Sequence, residues 1–385
     1  MRVLNLLPLV LVLLFVSGCQ TTQQSAVQVN PHFLDISFSG YESVPVETES
    51  EIFELSDEAK RFVFDIQSKR DRSGSIEELI SAIFDRSSFN MIYDNSANTT
   101  ARETFINRSA NCLSLSIMTY SLAREAGFTV TFREIEIPEY WTRKNGFSLL
   151  NGHINLRISE MEEQSSIVYA ESNTMVVDFD PFSPKKYFPS RSVRKNRVLS
   201  MFYNNKGADA LLKSDYLTAY AYFRAAVSTD SQFQDAWANM GILYRMTGHY
   251  DWAENTYHEA LKLNPDNLTI MENLAVLHQH QGRYALAKEL LAKVETRRLS
   301  NPYYHYNLGE QELEASNYHA AMSHYKKAIR LDASHHEFYF GMAKVHALMG
   351  DVEQALRYLQ RARRKTNIDD LKDHYQHKMD LFAKL

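Results

Sequence analysis

The chain has 385 residues, 44% of them hydrophobic and 23% charged, with a formal net charge of −5. That is enough chain for two or three domains, each with its own core. The mild acidity gives no electrostatic reason for nucleic acid as a partner, and no apolar stretch beyond the N-terminal run is long enough to span a membrane.

The chain opens with one charge, Arg2, and a largely apolar run from Val3 to Val16 that ends in Ser17-Gly18-Cys19. A span needs about 20 apolar residues, so residues 1–18 read as a secretory signal rather than a membrane helix. Val16-Ser17-Gly18-Cys19 resembles the lipobox of bacterial lipoproteins. The resemblance implies a lipid on Cys19, which becomes the new N-terminus. Gln20, standing where an Asp would retain such a protein at the inner membrane, implies the outer membrane, facing the periplasm. Cys112 is the second of the chain's two cysteines, and with Cys19 acylated it has no partner inside the chain. In an oxidising compartment an unpaired thiol is either buried and inert, or used.

Residues 19–50 are expected to form a tether, since Gln20 to Asn30 is rich in Gln, Thr, Ser and Val without periodicity. A mixed α+β domain is expected over 51–181. Ser56 starts a helix with Phe62, Val63 and Ile66 on its apolar side. Ser75 starts another, with Glu78 completing a capping box ahead of Leu79, Ile80 and Ile83. Leu115, Met118, Leu122 and Ala126 then fit a helix that ends at Gly127 and places Cys112 at its N-terminus. The partial positive charge there favours thiolate, lowering the pKa from its free value of about 8.5. Three strands are expected to follow: Thr129 to Ile137, Gly152 to Ile158 with His153, Asn155 and Arg157 on its polar side, and Met175 to Pro181 with Asp178 and Asp180 on one face. A thiolate nucleophile needs a base and a group to orient that base, and Cys, His, Asp in this order supply all three.

The order resembles the transglutaminase-like superfamily, which has a papain-like catalytic design. The likeness is carried by Tyr93-Asp94, by Thr99-Thr100-Ala101-Arg102-Glu103-Thr104-Phe105, by Asn107-Arg108-Ser109-Ala110-Asn111-Cys112 and by Leu122-Ala123-Arg124-Glu125-Ala126-Gly127-Phe128. It implies Cys112 as nucleophile, His153 as general base and acid, and Asp178 as the carboxylate that fixes the imidazole. Asp180 is the alternative, because it precedes Pro181 as in the family's usual Asp-Pro. Two departures stand out: Ala110 replaces the family's common Gly, and Ile154 and Asn155 follow His153 where an aromatic residue is frequent.

Residues 182–199 read as a linker, since Pro181 to Val198 is proline-bearing and basic. From 200 to 369 the chain repeats. Ala219, Ala253, Ala287, Ala321 and Ala355 recur every 34 residues, as do Gly207, Gly241, Ala275, Gly309 and Ala343, and Phe223, Tyr257, Leu291, Tyr325 and Leu359. Small residues at fixed places let paired helices approach, and the larger ones fill the space between pairs. The second unit, with Trp237, Gly241, Tyr244, Ala253, Tyr257, Ala260 and Pro265, most fully resembles the tetratricopeptide repeat (TPR). Five units are expected, closed by a capping helix over 370–385.

The overall expectation is an α+β papain/transglutaminase-like domain followed by an all-α TPR solenoid. By register, the first helices of the units line a concave groove where Tyr303, Tyr306 and Phe340 would meet a protein or peptide partner. His278-Gln279-His280 and His335-His336 lack carboxylate or thiol partners at ligand spacing and are expected on helix surfaces, so no metal or cofactor is expected. The leading expectation is a lipid-anchored cysteine hydrolase or transamidase acting on amide bonds. The alternative is a catalytically inactive adaptor of the same fold that scaffolds envelope proteins through its repeats.

Overall fold

The computed structural model describes residues 33–68, 76–84, 91–94, 97–136, 141–144, 147–150, 152–160, 174–179, 189–366 and 369–382. The expected signal, lipidation site Cys19, the Ser75 cap and Asp180 lie outside these residues.

After two short 3-10 turns (Asp35–Phe38 and Tyr41–Ser43), the α/β part begins with α1 (Glu49–Phe53), α2 (Asp57–Ser68) and α3 (Ile76–Phe84). Thr48 and Glu51 form a capping box on α1, each satisfying a backbone N–H that the helix itself cannot. A two-residue strand, β1 (Ile92–Tyr93), pairs in parallel with β2 (Ser109–Ala110), and between them runs α4 (Ala101–Asn107). Next come α5 (Cys112–Glu125) and β3 (Thr129–Ile135), then a hairpin of β4 (Trp141–Lys144) and β5 (Phe147–Leu150). The remaining strands are β6 (His153–Ser159), β7 (Thr174–Val177) and β8 (Ser190–Val193).

The main sheet has the order β7-β6-β3-β8, antiparallel throughout. Alternation along β6 sends Ile154, Leu156 and Ile158 into one core with Leu115, Ile117, Met118 and Leu122 of α5, which packs on β6 and β3. Ser190–Val193 falls in the expected linker, and the next helix begins at Lys195. The linker expectation is therefore corrected. Sequence alternation was obscured by basic residues whose charges are paired: Arg191 meets Glu134 across the ladder at 2.7 Å.

Five helix pairs follow: α6 (Lys195–Leu212) with α7 (Tyr216–Thr229), α8 (Gln234–Met246) with α9 (Tyr250–Leu263), α10 (Leu268–His280) with α11 (Tyr284–Leu299), α12 (Pro302–Glu314) with α13 (Tyr318–Leu331), and α14 (His336–Leu348) with α15 (Val352–Lys365). Then α16 (Asp369–Phe382) lays Leu371, Tyr375, Met379 and Phe382 on the last pair.

Part of the expected tether is folded. Phe33, Leu34 and Phe38 are buried against the first two helix pairs. The Phe38 ring stacks on Tyr220 at 4.2 Å, and the Leu34 N–H donates to the Tyr244 hydroxyl at 3.2 Å. The Asp35 carboxylate accepts from Tyr220 and Arg224 at 2.6 and 2.8 Å. Burial pushes the Asp35 carboxyl up, but these hydrogen bonds outweigh it and hold it below its usual range. One continuous core consequently runs from Phe33 through the α/β part into the third helix pair, at Leu277.

Candidate functional site

Cys112 is half-buried at the first position of α5. Asn111 caps that helix: its side-chain oxygen accepts from the Ser114 N–H at 2.9 Å, and its own N–H donates to the Ala97 carbonyl at 3.2 Å. The preceding loop is stitched to the same turn. The Thr99 N–H donates to Ser114 Oγ at 2.9 Å, and Ser114 Oγ donates to the Ala97 carbonyl at 3.2 Å. Further back, Thr100 and Glu103 form a capping box on α4, and Arg108 ends that helix with φ +54°. The lead-in to Cys112 is thus a hydrogen-bonded frame.

His153 opens β6, the strand on which α5 packs, and is 4% exposed. Its Nε2 lies 2.8 Å from both carboxylate oxygens of Asp178, which directly follows β7. The pairing of β6 with β7 (Leu156 opposite Val177) brings the two together from 25 positions apart. A carboxylate only accepts, so Nε2 carries the hydrogen and Nδ1 is the basic nitrogen of the neutral ring. Asn155, two residues along the same face, points Nδ2 at Asp178 at 3.4 Å, while its buried Oδ1 has no hydrogen-bond partner. Sequence reading placed Asn155 on the polar side of the strand but gave it no part beside Asp178.

The three aromatic residues expected in the groove make internal contacts. The Tyr303 hydroxyl lies 2.7 Å from His335 Nδ1, and its ring meets Phe338 edge-on. Tyr306 packs against Tyr325 and Phe338, and Phe340 lies against Tyr375 of α16. Nearby, Glu310 accepts from both Tyr325 and Lys344 at 2.5 Å, joining the fourth and fifth pairs. His278 and His336, expected on helix surfaces, are buried, at 5% and 3% exposed. Among the described residues no group of three or more His, Cys, Asp or Glu is placed to hold a metal ion.

Family models for the tetratricopeptide repeat match residues 235–267, 267–298 and 312–369. Superkiller protein 3 of Schizosaccharomyces pombe is 22% identical over 151 residues, 37% of this chain and 11% of that protein. Photosystem I assembly protein Ycf3 of Prochlorococcus marinus (strain NATL1A) is 30% identical over 103 residues, 26% of this chain and 58% of that protein. The chain therefore spans less than two thirds of the length of these relatives. Among solved structures, a MamA protein is similar at 16% identity and a TM-score of 0.24, over 43% of this chain and 91% of that one. The structure described as Pseudomonas aeruginosa pilF is similar at 17% identity and a TM-score of 0.27, over 49% and 90%. Residues 235–298 and 312–369 are tetratricopeptide repeats, a module that binds protein partners.

Proposed function

We propose that the protein is an adaptor that holds another protein in the groove of its TPR array, fixed to a bacterial membrane by a lipid on Cys19. The observation that carries this reading is the register of the five helix pairs. First helices of successive pairs meet from the first pair to the third and again from the fourth to the fifth, the arrangement by which repeat arrays present a binding surface. The lipobox-like start supports the anchor. A photo-crosslinking residue at Gln279, exposed on the first helix of the third pair, tests the groove against one at Tyr284, exposed on the second helix. The adaptor reading expects a protein captured from Gln279 and not from Tyr284. Equal capture from both, or from neither, would count against it.

A second reading is favoured by the His153–Asp178 pair beside the helix that begins with Cys112. Here the chain cleaves or exchanges an amide bond of the protein it holds. Nδ1 of His153 takes the thiol proton as Sγ bonds to the amide carbon, and the N–H groups at the start of α5 stabilise the oxyanion. Collapse expels the amine, which leaves with that proton, and a thioester remains. Water or a second amine then attacks the thioester, its proton passing through Nδ1 to the departing sulfur. The rate of iodoacetamide alkylation at Cys112 against pH tests this, with and without His153→Ala. Labelling that stays fast well below pH 8 and slows in the variant is expected of a His-paired thiolate. An ordinary profile near about 8.5, unmoved by the variant, would remove the chemistry and leave the adaptor.

A further inference from the structure

One hydrogen-bonded line joins the solenoid to the helix that carries Cys112. Asp209, on α6 in the first repeat, accepts from Asn98 Nδ2 at 2.5 Å. Asn98 Oδ1 accepts from Asn111 Nδ2 at 2.5 Å, and Asn111 Oδ1 accepts from the Ser114 N–H. Both ends of this line have a fixed sense. The carboxylate can only accept and the backbone N–H can only donate, so each of the two carboxamides between them has one orientation that satisfies all three bonds. Asn111 is 7% exposed, which leaves little water to replace a missing partner. It is also the residue directly before Cys112. The α5 helix packs on α6 along this line, inside the core that the two parts of the chain share.

We infer that the first TPR unit is part of the thiol site: Asp209, acting through Asn98, is a positioning residue that sets the Asn111 cap and with it the turn bearing Cys112. The inference rests on the cysteine reading above. It gives the chain a route by which a load on the solenoid reaches the nucleophile, because Asp209 on α6 holds the carboxamide that in turn holds Asn111. Charge alone predicts the opposite effect from the hydrogen-bonded line. A carboxylate near a thiol disfavours thiolate, so removing Asp209 would speed labelling if only its charge mattered.

The test uses the full chain, with alkylation of Cys112 read by mass spectrometry of its own peptide between about pH 5.5 and 9, the range over which a thiol becomes thiolate. Variants are Asn98→Ala, Asp209→Ala, Asp209→Asn and the Asn98→Ala/Asp209→Ala pair, each with hydrogen exchange of the first turn of α5 as a second readout. Asn98→Ala and Asp209→Ala are expected to slow labelling at pH 6.5 by about fivefold, the size of a lost cap interaction, and to raise exchange in that turn. Asp209→Asn keeps an acceptor oxygen and is expected to stay within about twofold of the parent, and the double variant to be no slower than either single one. Parent-like labelling and exchange in both alanine variants would overturn the inference. So would faster labelling in Asp209→Ala, or an Asp209→Asn as slow as Asp209→Ala. A parent chain whose Cys112 labels as an ordinary thiol, indifferent to His153→Ala, would instead remove the cysteine reading and the role given to Asp209 with it.

Discussion

His336 shows how a single buried group sets the behaviour of the C-terminal end. It stands first in α14, its Nδ1 2.7 Å from the Tyr375 hydroxyl of the capping helix. Burial, with His335 beside it, lowers its pKa to about 4. The folded value lies below the unfolded one, so the contribution to stability is complete above about pH 6.5 and is lost as pH falls toward about 4. The expected loss between pH 7 and 4.5 is on the order of 2 kcal/mol. Thermal melts across that range should show α16 and the last repeat loosening first in the parent, and a flatter profile in His336→Gln. An equally steep profile in the variant would assign the acid sensitivity elsewhere. At this scale the sequence was partly legible. Order along the chain pointed to His153 and Asp178, which the structure brings within 2.8 Å. It could not point to Asn98 and Asp209, which are 111 positions apart and share no motif. The sequence placed Cys112 at a helix start, but neither the Asn111 cap nor what orients it was read from it.

Elements pair by volume in the solenoid. A Cβ added to Gly241 would lie 2.6 Å from the Tyr257 ring, and one added to Gly207 or Gly309 would lie 2.6 Å from Phe223 or Tyr325. In the third and fifth pairs the small position is Ala275 or Ala343, and the residue in the partner position is Leu291 or Leu359. Glycine thus goes with an aromatic ring and alanine with leucine, as close packing of fixed volume requires. Gly241→Ala is expected to cost about 1–3 kcal/mol by overpacking. Gly241→Ala/Tyr257→Leu should recover most of that loss, measured by urea unfolding; no recovery would show that the glycine serves the backbone rather than the ring. Because this pairing repeats every 34 residues, the helix pairs were visible without a structure. Phe33, Leu34 and Phe38 were not, since they fill one place each on the solenoid and follow no period.

Across the whole molecule, the α/β part and the first repeats behave as one packed body, with separate smaller clusters in the last two repeats and the cap. Phe38 is a clasp in that body, stacked on the fully buried Tyr220. Phe38→Ala is expected to destabilise by about 3–5 kcal/mol. It should lower the melting of the sheet and of the first repeats together, rather than splitting one transition into two. The helical repeats were legible in the sequence, but the core that the first of them share with the sheet was not, because it is built from residues distant along the chain. On the adaptor reading the groove, not the thiol, holds the partner. Its most direct test is the affinity of the full chain for the protein crosslinked from Gln279, compared with Gln279→Trp and Cys112→Ala. Gln279→Trp is expected to weaken binding by about tenfold or more, as a bulky obstruction in a contact surface does, while Cys112→Ala binds like the parent. Binding that survives Gln279→Trp, or fails in Cys112→Ala, would contradict it.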